Sequence, residues 1–186
     1  EKTPRNALCV PFLKAIFPNA RFVYLYRAAK PNIASIASAW IDGQSSGRFV
    51  TYSQLPEFDE RKWCFLLPAG WQQMKHKSYV DIATFQWCQA NLAIINSLRA
   101  IPSHLHMSVS YESLIRKPAD TIKSIINFCD LAVPNDLLIN SNLALSRTTL
   151  TPPNADKWKQ YESEINALLP AITDTEAEIR DFLRIP

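Results

Sequence analysis

RFVYLYRAAKPNIAS, residues 21–35, reads as a strand that runs through a turn into a helix. Phe22 to Tyr26 is aromatic and β-branched with little alternation, the pattern of a strand covered on both faces in a parallel sheet. Pro31 suits the first turn of a helix, which the pattern carries to about Ile41. Arg27 closes the strand and Ser35 stands one turn into the helix, so both can aim at one anion in front of the strand's end. A guanidinium at the end of an apolar strand must find a partner, because an unpaired buried charge is costly. That partner is either an anion or a structural carboxylate, and Ser35 is either its second ligand or a small residue facing the sheet.

The bounds on the rest follow from composition. With 186 residues, 47% hydrophobic and 20% charged, the chain suits one globular domain with its own core. No apolar run reaches the roughly 18 residues of a membrane span, and the polar opening EKTPRN does not resemble a basic-then-apolar leader. A net charge of +3 does not call for nucleic acid; a small anionic ligand is enough to explain a local basic corner. Cys9, Cys64, Cys88 and Cys129 are scattered among apolar neighbours without metal-type spacing, which predicts buried free thiols in a reducing compartment and hence the cytoplasm. The glycines are only Gly43, Gly47 and Gly70, none between a strand and a helix. A loop that cradles phosphate on its backbone N–H groups needs glycine at that junction, so this chain carries no such loop.

Taken in order, Thr3 and Pro4 predict a helix start, with Leu8, Pro11, Phe12, Ala15 and Ile16 on one face to about Phe17. Phe17-Pro18-Asn19-Ala20 is a turn before the strand at 22–26. Residues 42–80 lack periodicity and carry Trp63, Phe65, Trp71 and Tyr79, which predicts a lid or binding loop whose aromatics form either an acceptor pocket or a minor core. Ile82, Phe85, Cys88, Leu92, Ile95 and Leu98 mark an amphipathic helix over 81–99. A second strand is predicted at 106–110, and Pro118 opens a helix to about Cys129. A polar loop, LALSRTTLTPPNAD at 143–156, precedes helices at about 156–168 and 173–183, the last capped by Thr173 or Asp174. His76, His104 and His106 have no partner pattern and read as surface or structural residues.

Strands separated by helices indicate an α/β layer with right-handed crossovers. Two strands make about half of a doubly wound sheet and leave edges and apolar faces without partners. The expectation is one domain over 1–186, a P-loop-type parallel sheet flanked by helices, incomplete here. Its N-terminal strand and phosphate loop would lie upstream, so the first partner of this chain is the upstream part of the same domain.

These residues resemble the sulfotransferases that use 3′-phosphoadenosine 5′-phosphosulfate, and the resemblance runs over nearly the whole chain. EKTPRNALCVPFLKAIFPNARFVYLYR is similar to that family's Lys-Thr-Pro helix and Phe-Pro-x-Ala-x-Phe strand ending in arginine. Arg27 with Ser35 eight positions on matches its 3′-phosphate site. VSYESLIRKPADTIKSIINFCDL resembles its Tyr-Glu-Asp-Leu segment and following helix, which implies that Tyr111 faces the adenosine. LSRTTLTPPNADKWKQY resembles the C-terminal loop and Lys-Trp helix of the tyrosylprotein-type and bacterial branches, implying that Ser146, Arg147, Thr148 and Lys157 close over the nucleotide. The chain departs from the pattern at Ala28-Ala29-Lys30-Pro31, where Asp-Pro-Arg-Asp is usual, and at Ser113, where aspartate is usual. The Lys-Ser-Gly-Thr type loop for the 5′-phosphosulfate is absent.

The implied chemistry is transfer of a sulfuryl group to an acceptor hydroxyl, leaving 3′,5′-diphosphoadenosine and using no metal. By analogy with phosphoryl transfer it rests on positioning and charge stabilisation, with a base for the acceptor's proton and a cation for the bridging oxygen. Glu1 and Lys2 supply both types side by side. In the heparan-type branch the glutamate of a matching Glu-Lys motif is the base. In the tyrosylprotein-type branch the base lies upstream, and in the cytosolic branch it is a histidine where Pro4 stands here. Both charges would also be at home near a helix N-terminus without any catalytic part. The acceptor is a hydroxyl on a small molecule, a carbohydrate or a carrier-bound metabolite. The other classes left open are an inactive nucleotide-binding or interaction module of this fold, and another phosphate-loop relative such as a nucleoside kinase. The kinase reading needs a glycine loop and a magnesium aspartate that the sequence does not show.

Overall fold

The computed structural model describes residues 2–59, 61–132, 150, 152, 154 and 156–184. The predicted first helix is divided: a 3₁₀ turn, Pro4–Leu8, is followed at Cys9 by helix α1, Val10–Ile16. Pro11 is the cause, since inside a continuous helix it would donate no hydrogen bond and its ring would meet the carbonyl four residues back. In the first turn of α1 neither penalty arises. Strand β1, Phe22–Tyr26, leads into α2, Ala29–Ser46. That helix starts before Pro31 because first-turn residues have no intrahelical acceptor to serve. It runs past Ile41 to stop at Gly47, whose φ of 75° only glycine adopts at low cost.

Residues 42–80 are less irregular than their pattern suggests. The end of α2 is followed by β2, Val50–Tyr52, and β3, Trp63–Cys64, paired antiparallel. A 3₁₀ turn at Trp71–Met74 leads to α3, Tyr79–Arg99. Ser78 caps α3 reciprocally with Asp81, a capping box in which each side chain bonds the other's backbone N–H. Strand β4, His106–Ser110, stands where predicted and opens directly into a short α4, Tyr111–Arg116, before α5, Pro118–Cys129. A 3₁₀ turn at Lys157–Tyr161 precedes α6, Glu162–Ala167, and α7, Leu169–Leu183. Thr173 and Asp174 therefore lie inside α7 and do not cap it; Pro170 in its first turn sets the start.

β1 and β4 pair in parallel, Phe22 with His106 through Tyr26 with Ser110. One face of the pair packs on α3 and α7. The Tyr24 hydroxyl donates to Asn91 Oδ1, and the Phe182 ring lies against Tyr24 and His106. Burial pushes the Tyr24 phenol far above its ordinary range, with Tyr26 adding a smaller push. The first core joins Ile33, Ala34 and Ala37 of α2 to Val80, Ala83 and Trp87 of α3, the alanines letting the two helices approach closely. Among the described residues the opposite face of β1 is left open: Val23 is 38% and Leu25 47% exposed, whereas their pattern predicted burial on both sides. Among the described residues no helix is long and apolar enough to cross a membrane. No group of three or more His, Cys, Asp or Glu stands there where it could hold a metal ion. All four cysteines are free, Cys64 and Cys88 buried, Cys9 exposed and Cys129 half-buried.

The aromatics of residues 58–79 form a second core, not an open pocket. Trp40, Phe58, Trp63, Cys64 and Ile82 are buried together, with Trp71 and Tyr79 packed on their rim. Trp63 meets Trp40 and Phe58 edge-on at ring separations of 5.1 and 5.2 Å. A fully buried Gln86 joins this core to α3. It accepts from Trp40 Nε1 at 2.9 Å and donates to the carbonyls of Cys64 and Leu66 at 2.9 and 2.7 Å. Gly43 allows α2 to lie against β3, since a Cβ there would sit 2.6 Å from the Arg48 carbonyl oxygen and 2.7 Å from Cys64 Sγ. Asp59 closes the rim, accepting from the Arg61 guanidinium at 2.9 Å and from the backbone N–H of His76 at 3.2 Å.

Two outcomes follow for stability. Gln86→Leu strands the Trp40 indole N–H and the Cys64 carbonyl in a dry core, and should lower the unfolding free energy by about 2–4 kcal/mol in urea titration. The Arg61 contact, aided by the backbone N–H donors, holds the Asp59 carboxyl down from 3.8 to about 2. Its contribution is therefore complete above about pH 4 and is lost as pH falls through about 2. Urea midpoints of Asp59→Asn and the parent should converge over that window.

Candidate functional site

The parallel register decides where the candidate residues meet. Tyr26 and Ser110 are partners at the last position of their strands, so the next residues, Arg27 and Tyr111, leave the sheet side by side. The Arg27 guanidinium lies over the Tyr111 ring, 4.4 Å from its centroid. Its Nη1 points at Ser35 Oγ, 3.5 Å away in the second turn of α2. Ser35 reaches the corner because α2 leaves the strand end at once and buries Ala29, Ile33 and Ala34 below it. Three of the predicted residues are thus brought together at the carboxyl end of two parallel strands, the place where open α/β sheets bind their ligands.

The charge of Arg27 has no counter-charge of its own among the described residues of this corner. Arg27 is half-buried, and among the described residues no carboxylate comes within ion-pair distance of it. A guanidinium has five N–H donors, and Ser35 engages one at the outer limit of a hydrogen bond. The N-terminus of α2 has no acidic residue in its own first turn and is met by the Glu112 carboxylate, which accepts from the Ala28 N–H at 3.1 Å. A stacked aromatic, a hydroxyl and an unpaired fork of donors suit a phosphate attached to a ring system.

The C-terminal segment is tied to the same helix. Lys30 Nζ lies 4.3 Å from the centroid of the Trp158 ring and donates to Asn166 Oδ1 at 3.3 Å. About two helical turns further on, Ser38 Oγ and the Tyr161 hydroxyl are 3.3 Å apart. Lys157 is half-buried and opens the 3₁₀ turn that these contacts hold, so it stands next to the Lys30–Trp158 contact. Lys2 is exposed in the extended segment ahead of Pro4–Leu8 and makes no hydrogen bond or ion pair with another described residue. Glu1, Ser146, Arg147 and Thr148 lie outside the described residues.

Two contributors to the corner have no local sequence signal. Glu112 accepts from the backbone N–H of Ala28 at 3.1 Å and from Ser110 Oγ at 3.0 Å, across 84 residues in the first case. Lys30 and Trp158 meet across an equally non-local gap. Only the strand register and the return of the C-terminal helices reveal either.

Comparison with curated proteins found no match. Among solved structures, the sulfotransferase domain from the curacin biosynthetic pathway matches with a TM-score of 0.51 at 17% identity, covering 89% of this chain and 61% of that one. At that identity the likeness speaks for the fold, and this chain spans less than two thirds of the matched domain. A family model described as the sulfotransferase family matches residues 1–135. With that match over well more than half of the chain, the protein belongs to the sulfotransferase family.

Proposed function

We propose that the full-length protein transfers a sulfuryl group from 3′-phosphoadenosine 5′-phosphosulfate to an acceptor hydroxyl. The observation that carries this reading is the Arg27 guanidinium, stacked on Tyr111, directed at Ser35 and unpaired with any described carboxylate. In it, Arg27 and Ser35 hold the 3′-phosphate, and the Tyr111 ring borders the adenosine. Lys157, with Ser146, Arg147 and Thr148, closes over the nucleotide. When bound, the donor supplies the sulfuryl group, and 3′,5′-diphosphoadenosine is what remains. Lys2 meets negative charge on the bridging oxygen, and Glu1 takes the acceptor's proton. The acceptor is a small-molecule, carbohydrate or carrier-bound hydroxyl.

The pairing of β1 with β4 alone among the described residues, which leaves each with an edge open to another strand, and the 61% coverage of the matched domain support a further part of this reading. Residues 1–186 form one domain whose sheet is completed by further strands, among them the one that presents the 5′-phosphosulfate. Four free cysteines accord with a reducing, cytoplasmic setting.

Isothermal titration of the full-length protein with 3′,5′-diphosphoadenosine tests the site. Arg27→Ala should weaken binding by about 2 kcal/mol, roughly thirtyfold; an unchanged affinity overturns the assignment. Turnover tests the base: Glu1→Gln should lower it by more than about tenfold with nucleotide affinity preserved. A smaller drop moves the base to another residue, and tight nucleotide binding without any turnover in the parent assigns an inactive binding module instead.

A further inference from the structure

We propose that Glu112 is a positioning residue of the anion corner, which sets the aim of Arg27 by clamping the peptide that follows it. The proposal rests on the nucleotide reading above and adds to it a residue that touches no ligand. Its basis is a closed ring of contacts. Glu112 Oε1 accepts from the Ala28 N–H at 3.1 Å, and Oε2 accepts from Ser110 Oγ at 3.0 Å. Ser110 Oγ in turn accepts from the Ser113 N–H at 3.2 Å, which fixes the start of α4. The residue between Ser110 and Glu112 is Tyr111, and its ring carries the Arg27 guanidinium. One carboxylate therefore joins Ala28, the second residue after β1, to Ser110, which ends β4.

The peptide it grips is the relevant one. The Ala28 N–H belongs to the plane that links Arg27 to Ala28, so holding it fixes ψ of Arg27 and φ of Ala28, here −50°. Arg27 hangs from the fixed end of that plane, and a guanidinium about 6 Å out along its side chain magnifies any rotation at the root. Nothing local does this work. Ala28 is the N-cap of α2 and has no side chain to bond the helix N-terminus, and the first turn of α2 has no acid. Glu112 supplies that acceptor from the first turn of α4, just past the neighbouring strand, with its negative charge facing the positive end of α2. A carboxylate beside a phosphate site would ordinarily repel the ligand. Here both of its oxygens are engaged by donors of the scaffold, which turns the charge toward the backbone.

The test compares affinities of the full-length protein for 3′,5′-diphosphoadenosine and for adenosine 5′-phosphate, which lacks the 3′-group. Glu112→Ala should weaken the first by about tenfold and the second by less than about twofold, since only the 3′-phosphate depends on the aim of Arg27. General loosening of the fold would weaken both alike. Glu112→Gln, which keeps an acceptor for the Ala28 N–H, should stay within about threefold of the parent. Ala28→Pro fits the observed φ, removes the donor and sets its ring carbon against the Glu112 oxygen, which must leave, so it should reproduce the loss, and the Ala28→Pro/Glu112→Ala pair should lose little more than either alone. Equal loss for both nucleotides, or additive losses in the pair, overturns the proposal. Arg27→Ala separates the two levels. If it lowers the 3′-phosphate preference while Glu112→Ala does not, only the part given to Glu112 fails; if it has no effect on that preference, the nucleotide reading fails and takes this proposal with it.

Discussion

The parallel alignment of Phe22–Tyr26 with His106–Ser110 is the constraint on which the functional corner depends. Parallel strands leave the sheet at the same end and in the same direction, so residues that follow them emerge together. Register then does the rest: with Tyr26 opposite Ser110, Arg27 and Tyr111 become neighbours without either being near the other in sequence. A shift of one position would bring Glu112 or Ser110 opposite Arg27, exchanging a ring for a carboxylate or a hydroxyl. The buried Tyr24–Asn91 bond helps to exclude such a shift, since a one-residue slip would turn Tyr24 to the open face of the sheet.

Helices α2 and α3 carry this corner on a broad base. The first half of α2 belongs to the core beneath the sheet through Ile33, Ala34 and Ala37, and its second half to the aromatic core through Trp40. α3 divides the same way, Ala83 and Trp87 facing one core and Ile82 the other. Gln86 lies between, hydrogen bonded to both α2 and the β3 region. The segment between α2 and α3 is thus an anchor for the far end of the helix whose near end presents Ser35. The Lys157–Tyr161 turn packs along the outer side of α2 and completes its surroundings.

Much of this was legible in the residues, and the reasons for the rest are physical. Both strands of the parallel pair stand at their predicted positions, because short aromatic and β-branched runs bounded by turn residues have few alternatives. Arg27, Ser35 and Tyr111 meet as expected from the order of their motifs. Pro11 was readable as a breaker, yet its apolar neighbours keep the helical period and conceal the break at Cys9. The core around Trp63 carries no period, since its order comes from tertiary contacts among Trp40, Phe58 and Gln86 that local spacing does not encode. α4 is a six-residue helix, too short for a pattern to build. Glu112 was visible only as a member of a motif; its bond to Ala28 exists because two strands are in register, which no local window contains.

The corner also has a place in time. The contact between Ala28 and Glu112 closes 84 residues of chain, whereas Gln86 reaches Leu66 across only 20. Closing the longer loop costs about 4 kcal/mol of chain entropy before any contact within the corner forms. Contacts of long sequence separation are the slow ones, so α2, α3 and the aromatic core between them can condense while β4 is still searching for β1. The corner that joins Arg27 to Tyr111 is therefore a feature that closes late in folding. A chain halted with its helices in place and its second strand undocked would carry every residue of the corner and have no corner, which makes the Arg27–Tyr111 contact a reporter of completed folding rather than of secondary structure.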